Sequence, residues 1–155
     1  MQNTTNMKHI GSKFEYEKER NEDLMRTYEE YVIKGGYINM RDIFREVIKH
    51  QASRFWVSEE RAAIVIGKML KGDKLLNMRK TKREMFREIF VRVQAIRIES
   101  PGITIHESVS EAIRQPAPKF YLTEGSAKVI IYKIKKAWYE KRKEKLKFMF
   151  SMRKV

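Results

Sequence analysis

The residues here that could do chemistry are above all cations, and their spacing is uneven. Residues 126–155 hold 11 Lys/Arg against 2 Asp/Glu and residues 67–99 hold 10 against 4, whereas 100–125 hold 2 against 3 and 1–66 are balanced at 11 and 11. The formal charge of +14 and the pI near 10.0 therefore arise in two basic stripes of the C-terminal part. A balanced stretch such as Lys13 to Glu30 reads as a solvated helix face. Uncompensated like charge, by contrast, raises self-repulsion that phosphates would relieve, so a polyanion is the expected partner: nucleic acid, DNA ahead of RNA.

Within the stripes the candidate nucleic-acid-binding residues are Ser126, Lys128, Lys133, Lys135 and Lys136, continued by Lys141, Arg142, Lys143 and Lys145. Lys68 and Lys71 stand at matching places earlier in the chain, and Arg54 and Lys119 sit beside the aromatic pairs Phe55-Trp56 and Phe120-Tyr121. Lysine meets phosphate more often than it reads a base edge, so the set suits positioning rather than stringent sequence choice. The aromatic pairs could stack bases. Neighbouring residues of an extended segment point opposite ways, however, so one ring of each pair is expected to plug a core. The spaced methionines, Met69, Met78, Met85, Met149 and Met152, read first as core filling.

Other chemistry is poorly supplied. The chain has no cysteine, which excludes disulfides, thiol nucleophiles and Cys-ligated metal. His9, His50 and His106 are far apart, no carboxylate cluster has metal-ligand spacing, and Gly35-Gly36 lacks the Lys-Ser/Thr of a phosphate loop. A non-enzymatic protein with no cofactor and no metal is expected. No apolar run is long enough to span a bilayer, and Met1 to Ser12 does not resemble a signal peptide, so the expected setting is the cytoplasm of a bacterium or infected host, with the virion as a further setting and no membrane contact.

The elements that must position these cations follow from an internal repeat. Arg54–Lys71 aligns with Lys119–Lys136 at an offset of 65 residues, with Phe55/Phe120, Glu59/Glu124, Ala62/Ala127, Ile66/Ile131, Lys68/Lys133 and Lys71/Lys136 identical. The register runs back to Ile38/Ile103. Each unit reads as a helix behind Asn39 or Thr104, a connector, and a helix capped by Ser58 or Thr123. Pro116 and Pro118 stiffen the second connector. Phe14 to Lys34 and Thr81 to Ile98 supply an upstream helix to each unit. The first unit stops at Gly72, whereas nothing after Ala127 stops the second, so its last helix runs on into the basic segment.

The expected fold is therefore mainly α: two tandem three-helix, helix-turn-helix-like units with a long basic C-terminal helix. The expected divisions are a disordered N-terminus over 1–12, units over 13–73 and 74–139, and the helical extension over 140–155. Burial along the last helix should end at Trp138. The runs 55–57 and 120–122 could pair as a minimal ribbon.

The segments Arg54–Ala63 and Gln115–Thr123 resemble uncharacterised small basic proteins of phages and mobile elements of gut bacteria. The resemblance covers roughly the two repeat units and brings no assigned activity or binding residues. It implies a phage or mobile-element setting, in which a regulator, a packaging factor and a virion-associated protein are all admissible. The reading is a non-enzymatic protein that binds duplex DNA, with a virion-associated structural or cargo protein, or one that docks on a protein partner or a second copy, as the alternative. Because residues 1–66 are electrically balanced, the second unit should dominate binding.

Overall fold

The computed structural model describes residues 5–35 and 42–153, and over these the chain is mainly α-helical. The helices are α1 (Thr5–Lys34), α2 (Ile43–Ile48), α3 (Glu59–Leu70), α4 (Lys80–Glu99), α5 (Ile105–Arg114) and α6 (Glu124–Met152). Among the described residues there is no strand, and α1 already begins at Thr5, inside the segment expected to be disordered. Extending an existing helix costs less than nucleating one, and no proline interrupts residues 5–34. Asn39, the expected cap of α2, lies outside the described residues.

The other expected caps form. Ser58 accepts a hydrogen bond from the Arg61 amide and Thr123 from the Ser126 amide, satisfying N–H groups that have no partner inside the helix. Thr104 and Glu107 form a reciprocal capping box on α5. The end of α3 is a Schellman motif: the Gly72 amide donates to Met69 and the Asp73 amide to Lys68, with Gly72 at φ 99°, where a side chain would clash with the backbone. No glycine or proline follows Gly125 within α6, so that helix continues to Met152.

Equivalent positions of the two sequence copies meet in the backbone. The Ala52 amide donates to the Ala117 carbonyl at 3.0 Å and the Ala117 amide returns the bond to Ala52 at 3.1 Å, a single antiparallel bridge between equivalent positions of the two copies. Around it, the Phe55 amide donates to Ile113 and the Phe120 amide to Ile48, again equivalent positions. The two connectors thus cross at equivalent positions. Pairing falls at the alanines rather than at 55–57 and 120–122, because the amides of Phe55 and Phe120 bond instead to the ends of α5 and α2.

Crossing connectors have a consequence for packing. Helices α1 and α2 pack with α6, while α4 and α5 pack with α3. Phe44 on α2 stacks on Tyr28 of α1 and meets Tyr132 of α6 edge-on, and Glu59 at the start of α3 takes Ser110 and Arg114 of α5. Two self-contained tandem bundles are therefore not what forms: each copy gives its last helix to the other. The extended connectors carry the chain past its own bundle, and all the buried apolar residues join in one core. Two backbone hydrogen bonds contribute about 1 kcal/mol each. Phe55 and Phe120, both fully buried, contribute about 2–3 kcal/mol each, so burial holds the crossing and the bridge aligns it.

Candidate nucleic-acid interface

Three of the cations singled out in the sequence are held within the fold. Arg54 donates to the carbonyls of Phe55 and Val57 and lies over the Trp56 ring. Lys119 donates to Glu84 at 3.0 Å and lies over Tyr121, and that hydrogen bond, with the lysine's charge, lowers the Glu84 carboxyl below its ordinary value. Lys135 donates to the Tyr28 hydroxyl at 2.7 Å and sits 4.5 Å above that ring. These contacts brace connectors and helices. Ser126 is part of the α6 cap, its hydroxyl oxygen accepting from Thr123.

The aromatic pairs behave as one buried and one half-buried ring each. Tyr121 adopts a left-handed φ of 53°, which costs about 1 kcal/mol in a non-glycine residue. That turn lays its ring on Phe55, at 6.0 Å and 21°. Burial, with help from Glu88, pushes its hydroxyl up to about 12. Neither pair is a free stacking platform.

The other candidates are exposed. Lys68, Lys71, Lys128, Lys133, Lys136, Lys141, Arg142, Lys143 and Lys145 have no carboxylate partner among the described residues, though Lys128 rests over Tyr132. At about 100° per residue, Lys133, Lys136, Lys143 and Lys147 fall on the side of α6 opposite Ala127, Ile131 and Ile134. Burial ends before the expected place. Ile131 is the last buried residue, Lys135 is half-buried, and Trp138 is already 50% exposed. Every residue from Ala137 to Arg153 is exposed, so the basic end of α6 stands clear of the core, and Met149 and Met152 fill no core at all.

The structure adds cations that the residue-by-residue reading passed over. Arg61 and Lys74 face a cleft beside Lys68, and Arg79, Lys80 and Lys82 are exposed at the start of α4. The excess of 10 cations over 4 carboxylates in 67–99 was the signal for them. The first turns of α3 and α6 are unsuited to reading bases. They carry Glu59, Glu60 and Glu124, of which Glu59 is tied to Ser110 and Arg114 and Glu124 faces Arg45 at 3.7 Å. The Ser110 hydrogen bond and the Arg114 contact hold the Glu59 carboxyl below its usual value against a partly opposing burial effect.

A shallow apolar groove of about 470 Å³ lies between α1 and α6, lined by Met25, Tyr28, Val32, Ile33, Trp138 and Tyr139 among others. Among the described residues, no group of His, Asp and Glu is placed to hold a metal ion, and no helix is long and apolar enough to cross a membrane. Comparison with family models, with curated proteins and with solved structures finds no match.

Proposed function

We propose that this chain binds nucleic acid without catalysing a reaction, favouring duplex DNA over RNA, and that it does so through phosphates rather than base edges. The observation that carries this reading is the distal half of α6, an exposed helix bearing Lys141, Arg142, Lys143, Lys145 and Lys147 with no partner carboxylate among the described residues. Such cations can meet phosphates while staying largely hydrated, and each phosphate they meet releases condensed counterions. Acidic first turns on α3 and α6 argue against insertion of those turns into a major groove in the helix-turn-helix manner, where N-terminal residues meet bases. Weak sequence preference follows, which fits a packaging factor or a broad regulator in a phage or mobile-element setting.

A second reading has its own observation. Phe148, Met149, Phe150 and Met152 are exposed at the tip of α6, an apolar end suited to docking on a protein, as in a virion-associated component. Titrating labelled random duplex and structured RNA at two salt concentrations tests the first reading. Tight, strongly salt-dependent duplex binding supports it. Absence of binding to both at low salt, together with self-association through the tail, would leave the second.

A further inference from the structure

The cleft between the C-terminal half of α3 and the segment that follows it is a separate feature of the surface. It encloses about 700 Å³ and is lined by Arg61, Lys68, Lys74, Asp73, Leu76 and Met78 together with the α3 backbone turn. Its shape is set in advance. The Schellman motif at Gly72 turns the chain, the Asp73 carboxylate accepts from the Leu75 amide at 2.8 Å, and the Met78 amide closes a turn onto Leu75. Leu75, at a left-handed φ of 57°, drives its side chain into the core and fixes the loop from below.

Its chemistry is divided. Arg61 and Lys68 stand seven residues apart on one face of α3, and Lys74 approaches from the loop, so three exposed cations surround a space in which the one carboxylate, Asp73, is already engaged. Beside them Leu76 is 73% exposed, an apolar side chain left open on an ordered loop. The other copy has no such cleft. The position equivalent to Gly72 is Ala137, where α6 simply continues.

We infer that this cleft binds a nucleoside phosphate, with the phosphoryl oxygens on Arg61, Lys68 and Lys74 and the nucleoside against Leu76 and Met78. A guanidinium with two ammonium groups matches a phosphate's charge, and the volume lies in the range of small-ligand sites. The ligand is either a free nucleotide or one unit of a bound strand. The inference does not depend on the duplex-binding reading.

Calorimetric titration of the full chain with adenosine triphosphate, tripolyphosphate and a short single-stranded oligonucleotide tests it. Binding of the nucleotide or the oligonucleotide should weaken at least tenfold in Arg61→Glu/Lys74→Glu, whose substituted positions are exposed and whose far-UV spectrum should match the parent. Binding of adenosine triphosphate, which the tail is not proposed to carry, should change less than twofold in the tail variant Lys141→Glu/Lys143→Glu. Leu76→Ala should weaken nucleotide but not tripolyphosphate. Binding of the triphosphate alone identifies a free nucleotide, and of the oligonucleotide alone a strand unit. No binding by either, equal losses of adenosine triphosphate affinity in the cleft and tail variants, or indifference to Leu76→Ala would overturn the inference. Loss of duplex binding in the tail variant with the cleft still occupied would separate the two sites.

Discussion

Asp23 is 4% exposed and holds the first connector to α1. It accepts from the Ser53 amide at 2.8 Å, the Ser53 hydroxyl, the Trp56 indole at 3.1 Å and Arg26. Its repeat equivalent, Glu88, instead pairs with Arg92, which donates to the Pro116 carbonyl and so holds the second connector to α4. Asp23→Ala strands three donors on a part-buried connector and should cost about 3 kcal/mol in urea unfolding, given charge-assisted bonds of about 1.5–3 kcal/mol each. A loss under about 0.5 kcal/mol would mean that the connector is held by burial alone. Glu59 gives a pH-dependent counterpart. Its folded carboxyl is depressed below the ordinary 4.5, so its stabilising effect is complete above that value and is lost as pH falls through the depressed one. Glu59→Gln should therefore be less stable than the parent at pH 7, and the difference should vanish in acid once the pH is below the depressed value. A difference that persists there would contradict the ion-pair account. At this scale much was legible in the sequence: Ser58, Thr104 and Thr123 cap where their side-chain chemistry dictates. The engagement of Arg54, Lys119 and Lys135 was not, because a cation's partner can lie on an element distant in sequence, as Glu84 and Tyr28 do.

At the scale of elements, α3 and α6 begin alike and end differently. Both open on a hydroxyl cap and a glutamate, and both carry the same exposed lysines at equivalent positions, Lys68 with Lys133 and Lys71 with Lys136. Charge counts alone favour the second pair, since 126–155 hold 11 cations against 2 carboxylates and 67–99 hold 10 against 4. Both pairs occupy equivalent repeat positions, on helices that follow the two crossing connectors. Charge reversal of Lys68 and Lys71 should therefore weaken duplex binding within about twofold of reversal of Lys133 and Lys136 at the same ionic strength. A loss confined to the second pair would restore the unequal reading.

At the scale of the molecule, the exchange of α3 and α6 is the feature that sequence patterning could not disclose. Repeated units have equivalent interfaces, so the apolar stripe of α6 fits α1 and α2 as well as α4 and α5. The choice is made by the direction of the connectors, fixed by the Ala52–Ala117 bridge and the prolines at 116 and 118. The exchange makes folding of either half depend on the other. Residues 1–73 alone would leave Tyr28 and Phe44 without Tyr132 and should show no cooperative thermal transition, while mixing with 74–155 should restore one. Independent cooperative unfolding of residues 1–73 would refute the exchange.

The proposed phosphate binding by the projecting end of α6 has its sharpest test in the salt dependence of duplex affinity for the full chain and for a chain ending at Tyr139. Each phosphate contact contributes about 0.9 to the slope of log affinity against log salt on B-form DNA. Removing Lys141, Arg142, Lys143, Lys145 and Lys147 with the rest of the tail should lower that slope by about 3, with the number of chains per particle unchanged. An unchanged slope accompanied by loss of an oligomer would contradict the account and assign the tail to protein contact.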